Sequence, residues 1–115
     1  MQIGIVMLGA RDMAASIAFY RDRIGLAVKG QIESFAFLDA GPVTLCLSGA
    51  LAKASGNIAG ATEIVFTVES VRSAYNALRD KGIVFSIEPR IVSGPNWAAN
   101  FTDPDGHKLS IFGPE

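Results

Sequence analysis

The sequence predicts an α+β protein built from two paired βαβββ modules in a single domain. Three observations predict it. Segments of strand and helix character run strand, helix, three strands, and then repeat that order. The chain is also self-similar: a shift of 58 places sets FYRD (19–22) on ALRD (77–80), Asp12 on Ser70 and Ile5 on Glu63, and a shift of 64 sets TLCL (44–47) on KLSI (108–111). Finally, 115 residues, half of them hydrophobic, suffice for one core, whereas either module alone would bury its sheet poorly.

The elements follow in order. IGIVML (3–8) is the first strand. In residues 11–25, Met13, Ile17, Tyr20 and Ile24 recur at helical spacing, Asp12 is the N-cap and Gly25 ends the helix. LAVKGQI (26–32), SFAFLDA (34–40) and VTLCLS (43–48) are three short strands, with Ala-Gly-Pro (40–42) turning between the last two. GALAKASGNIAGA (49–61) is small, rich in Gly and Ala and aperiodic, and is expected to link module one (1–48) to module two (62–115). TEIVFTV (62–68) is a strand. In residues 70–82, Ser70 caps a helix whose apolar stripe is Val71, Ala74, Tyr75 and Leu78, and Gly82 stops it. IVFSIEPR (83–90), WAANFTD (97–103) and HKLSIF (107–112) are the closing strands.

Composition excludes several classes of function. The net charge is −1, and the charges are spread evenly, four positive and four negative in residues 1–48, six and seven in 49–115. No basic face invites nucleic acid. No stretch approaches the ~20 apolar residues of a membrane helix. The opening MQIGIVMLGA is apolar but short, lacks a basic leader and is ended by Arg11 and Asp12, so it reads as a strand rather than a signal. A single cysteine, Cys46, allows no intrachain disulfide and fits a reducing cytoplasm.

Three segments carry a resemblance. GARDMAASIAFYRDRIGL resembles the first-module signature of the vicinal oxygen chelate superfamily of glyoxalases, bleomycin-resistance proteins and extradiol dioxygenases. EIVFTVESVRSAYNALRDKGI is similar to its second-module start, and WAANFTDPDGHKLSIF to its closing strands. The resemblance implies an incomplete barrel around a cleft, and a homodimer in which modules of both chains shape each site.

Strand alternation sorts the side chains by face. Ile64, Phe66 and Val68 suit packing under a helix, so Glu63, Val65 and Thr67 face the cleft. By the same logic Ile5 and Met7, then Thr44, Cys46 and Ser48, then Ser110 and Phe112 face it from the first, fourth and last strands. Trp97 and one of Phe35 or Phe37, here Phe37, are expected as aromatic walls.

Metal-using members of the resembled family place a His or Gln on the first strand, often a His at the start of the fifth, and a Glu on the last. The matching positions here are Ile5, Glu63 and Ser110. An alkyl group, one carboxylate and a neutral hydroxyl do not make the three or four donors that zinc or iron takes. No metal and no cofactor is therefore expected.

Other residues have two readings. Glu63 orients a cationic or hydroxyl-bearing ligand or acts as a base, or else is a solvated or ion-paired carboxylate at a strand mouth. His107, the only histidine, reads as a turn residue, since no carboxylate partner is indicated for catalysis. Asp103-Pro-Asp-Gly106 reads as a structural turn, and the spacing of a calcium loop is absent. Cys46 is a buried filler unless a base activates it. Trp97 stacks on a planar ligand or anchors a rim or interface. Tyr20 and Tyr75 belong to helix packing. GNIAG (56–60) lacks the ending of a phosphate loop and reads as a loop lipping the cleft.

The expected function is metal-independent binding of a small, partly apolar molecule, in the manner of bleomycin-resistance proteins. The alternative is a glyoxalase- or dioxygenase-like lyase, isomerase or oxygenase with an atypical metal site.

Overall fold

The computed structural model describes residues 1–55 and 62–115, and the GNIAG expectation lies outside them. The chain divides into two compact units, Met1–Ile58 and Ala59–Glu115. Each contains one βαβββ module, as its residue pattern requires.

In the first unit, β1 (Ile5–Gly9) leads to α1 (Met13–Ala18), which continues as a π-helical turn (Phe19–Ile24) before β2 (Ala27–Ile32), β3 (Phe35–Asp39) and β4 (Thr44–Ser48). The sheet order is β1-β4-β3-β2, with β1 parallel to β4 and the other pairs antiparallel. Asp12 caps α1, its carboxylate accepting the Ala15 N–H at 3.1 Å. Gly25, at φ 94°, turns the chain out of the π-helical segment, its N–H donating to Tyr20 O. The wider π turn was not legible in the sequence. It accompanies two consecutive aromatic residues that are both buried, Phe19 and Tyr20, whose rings meet edge to face at 5.1 Å. Ile17 and Tyr20 join the core formed by Ala36, Leu38, Leu45 and Leu47, all buried. Each large side chain so buried contributes roughly 1.5–3 kcal/mol.

Where the sequence suggested an aperiodic linker, residues Gly49–Ser55 form a short helix, α2. Its start is fixed by Ser48, expected on the ligand-facing side, whose hydroxyl instead accepts the Leu51 N–H at 2.9 Å. Gly9 makes the close packing possible: a Cβ there would meet the Ala52 backbone at 3.1 Å. Ser48 and Gly9 are paired across β4 and β1, so one register position both caps α2 and seats it.

In the second unit, β5 (Glu63–Thr67), α3 (Val71–Asp80), β6 (Ile87–Ser93), β7 (Asn96–Thr102) and β8 (Lys108–Pro114) repeat the arrangement, with sheet order β5-β8-β7-β6. Ser70 caps α3, accepting the Ser73 N–H at 3.1 Å and donating to the Glu115 carbonyl at 2.8 Å. Val71, Ile83, Ala99, Phe101, Leu109 and Ile111 form the buried centre. Phe85 bridges Tyr75 and Phe101, with ring centroids 4.7 and 5.1 Å away. The expected strand 83–90 is displaced toward the C-terminus, because Ile83 and Phe85 pack beside the helix instead of joining the ladder. β6 is an edge strand with two register irregularities, which is where Pro89 is tolerated. Neither sheet closes on itself.

The register bears out the internal repeat. Ile5 pairs with Thr44 and Glu63 with Lys108, so the shifts of 58 and 64 read in the sequence are the shifts of the two parallel pairs.

Candidate functional site

Each sheet has one face against its main helix, α1 or α3; the other face carries no helix, except that α2 covers the Gly9–Ser48 end of the first sheet, and is helix-free beyond that end. Burial follows alternation: Val6 and Leu8 are more buried than Ile5 and Met7, and Ile64 and Phe66 more than Glu63, Val65 and Thr67.

On the helix-free face of the first sheet the pairing sets Met7 beside Cys46 and Cys46 beside Phe37, with Ile5 beside Thr44. Phe35 and Phe37 stack at 6.4 Å with their planes 20° apart. This face is apolar. Ile5 is 55% exposed and Met7 43%. Cys46 is fully buried. Its thiol donates weakly to Leu47 O at 3.7 Å, and burial pushes it above its ordinary pKa, which keeps it protonated and poor as nucleophile or ligand.

The corresponding face of the second sheet is polar at its centre. Val65 pairs with Ser110, Ser110 with Asn100, and Thr67 with Phe112. Arg90 Nη1 donates to Asn100 Oδ1 at 2.7 Å and to the Ala98 carbonyl at 2.9 Å. Asn100 Nδ2 donates to Glu63 Oε1 at 2.7 Å. The amide orientation is thereby determined, since its oxygen must face the guanidinium and its NH₂ the carboxylate. Glu63 and Asn100 lie on strands separated by β8, so their side chains meet across Ser110. A serine there, buried at 4% exposure, is short enough to let them meet; a longer side chain would stand between them. Val65 (50% exposed), Ile87 (47%) and half-buried Phe112 border this row.

Asn100 and Arg90 were missed in the sequence. Alternation within WAANFTD sets Asn100 in phase with Ala98, whose cross-strand partner is Phe112, and a polar residue inside an apolar run was the available signal. Arg90 fell at the end of a strand whose limits were misplaced.

Trp97 does not lie on the helix-free face. It is in phase with Ala99 and Phe101, which are buried on the α3 side, and it shares a hollow with Tyr75. The physical reason is register: it pairs with Gly113, one residue out of phase with Phe112. The Asp103 turn is structural as expected, with Asp103 Oδ1 accepting the Asp105 and His107 N–H groups at 2.9 and 2.8 Å.

The residues that the resemblance sets at metal-ligand positions do not fit a divalent cation. Ile5 offers an alkyl group, Ser110 a neutral hydroxyl, and one Glu63 oxygen already accepts from Asn100. Among the described residues no group of three His, Cys, Asp or Glu is placed to hold one.

Two βαβββ modules, each with a sheet left open on one side, define the vicinal oxygen chelate class. The chain belongs to the Glyoxalase/Bleomycin resistance protein/Dioxygenase superfamily, whose family model matches residues 2–111. Solved structures agree at the level of the fold. An antibiotic binding protein from Streptomyces sp. CB03234, TnmS3, is 15% identical with a TM-score of 0.82, covering 100% of this chain and 97% of that one. A lactoylglutathione lyase from Agrobacterium tumefaciens is 19% identical with a TM-score of 0.78, over 96% and 92% of the two chains. A glyoxalase/bleomycin resistance protein/dioxygenase from Nocardioides is 22% identical with a TM-score of 0.80, over 97% and 82%. No curated protein matches the sequence.

Proposed function

We propose that the protein binds a small, partly apolar molecule without a metal, holding its polar end on the open face of the second sheet. The observation that carries this reading is the relay from Arg90 through Asn100 to Glu63. Asn100, itself held by Arg90, donates to Oε1 from one side, and the remaining oxygen is left to accept from an amine or hydroxyl. Val65, Thr67, Ser110 and Phe112 adjoin it. Val65 and Phe112 offer the ligand's apolar part a surface on the same face. Ile5, Met7, Phe37, Thr44 and Cys46 line the open face of the first sheet, a separate and apolar surface. The function is sequestration of the kind that the name of TnmS3 as an antibiotic binding protein suggests. The donor set argues against the lyase and dioxygenase alternative. We further take the protein to be a cytoplasmic homodimer, a reading supported by its one buried, protonated thiol and by the exposed apolar residues Ile5, Met7 and Val65.

A thermal-shift screen of planar aromatics, amines and glycopeptide drugs, followed by calorimetry on hits, tests this. Glu63→Gln removes a charged hydrogen-bond partner and should weaken a hit about tenfold or more. Metal analysis of protein purified without chelator should give no stoichiometric transition metal. Bound zinc, iron, manganese or nickel that disappears in Glu63→Ala would overturn the reading, as would chemical conversion of the hit.

A further inference from the structure

The second unit has a hollow of about 260 Å³ on the α3 side of its sheet, the side opposite Glu63. Trp97 of β7 and Glu88 of β6 meet Arg72, Tyr75 and Asn76 of α3 there, with Glu115 at one end. We infer that this hollow is a second binding site, for a small organic cation such as an arylalkyl ammonium.

Size, charge and ring chemistry each narrow the ligand. The volume falls below the roughly 300–1,000 Å³ of pockets for drug-sized ligands, so only a small molecule fits. The Arg72 guanidinium is paired with the Glu115 carboxylate, and the two cancel. Glu88 is exposed and makes no ion pair among the described residues, so among the lining side chains it is the one charge without an opposite partner. An anion is disfavoured by that charge and a cation favoured. Trp97 and Tyr75 bring aromatic faces, on which ammonium groups bind. Tyr75 already has the Arg79 guanidinium 5.2 Å from its centroid, which leaves Trp97, the stronger ring for this purpose, to the ligand. This inference stands apart from the site on the opposite face and needs no residue of it.

The test uses an advantage of the sequence: Trp97 is the only tryptophan, so its emission reports this hollow alone. The probes are 2-phenylethylammonium and benzyltrimethylammonium, with 2-phenylethanol and 3-phenylpropionate as neutral and anionic counterparts. Both cations should change the emission saturably, the alcohol should bind several-fold more weakly, and the carboxylate should not saturate. Glu88→Gln, an exposed and isosteric change, should weaken the cations about fivefold, while Glu63→Gln should leave their affinity unchanged. The inference is overturned if neither cation gives a saturable change, if the carboxylate binds as tightly, or if Glu88→Gln binds as the native protein does. Weakening by Glu63→Gln but not by Glu88→Gln would also overturn it, assigning the cation to the other face. Loss of the screening hits in Glu63→Gln is read separately, so failure of one site does not imply failure of the other.

Discussion

At the scale of the residue, small side chains decide where larger ones can act. Ser110 lies between Val65 and Asn100 in the sheet, and its brevity is what lets Glu63 reach Asn100. Alternation alone put Glu63 and Ser110 on one face. It could not show that Asn100 would join them, because that contact skips a strand and depends on the register of three. Gly113 is constrained differently. A Cβ there would lie 2.2 Å from the Val68 carbonyl oxygen, far inside contact distance, and the obstacle is backbone that carries its own bond from Val68 N–H to Phe112 O. Gly113→Ala should therefore destabilise the fold by about 1–3 kcal/mol, the usual cost of forcing atoms into filled space. An unchanged urea midpoint would contradict that packing.

At the scale of the element, local chemistry and tertiary demand contributed separately. The caps Asp12, Ser70 and Gly25 were legible because capping needs only a residue type next to a periodic segment. Ser70 does more than cap, since its hydroxyl also donates to the Glu115 carbonyl. Ser70→Ala should cost about 1 kcal/mol, or about 4 °C in Tm for a chain of this length. Asp12→Ala removes only the cap bond and should cost no more than Ser70→Ala in parallel melts. The elements that escaped the sequence share a cause. Gly49–Ser55 has no apolar period because α2 seats on β1 through Gly9 and Ala52, a contact between small atoms that leaves no stripe to read. The π turn at Phe19–Ile24 and the late start of β6 reflect aromatic packing at Tyr20 and Phe85 that overrides local preference.

At the scale of the whole molecule, two modules of the same topology carry opposite chemistry on equivalent faces. Ile5, Phe37 and Cys46 stand in the first sheet where Glu63, Asn100 and Ser110 stand in the second. The apolar version buries its thiol, and this has a consequence for stability. Because burial raises the Cys46 pKa in the folded state above its ordinary 9.0, the unfolded chain releases that proton first as pH rises. The contribution is intact below pH 9.0 and is lost above it, with a slope of at most about 1.4 kcal/mol per pH unit. Urea midpoints should fall more between pH 8 and pH 10 for the native protein than for Cys46→Ala, and equal falls would refute the assignment. The repeated strand-helix-three-strand order, the internal repeat, the caps and the facing of β1 and β5 were determined by the sequence alone, because they depend on periodicity and on residue types within a few positions. The partner of Glu63, the side of the sheet on which Trp97 lies and the close seating of α2 were decided only by the tertiary structure. Each depends on which strands become neighbours and in what register, and no local pattern encodes that.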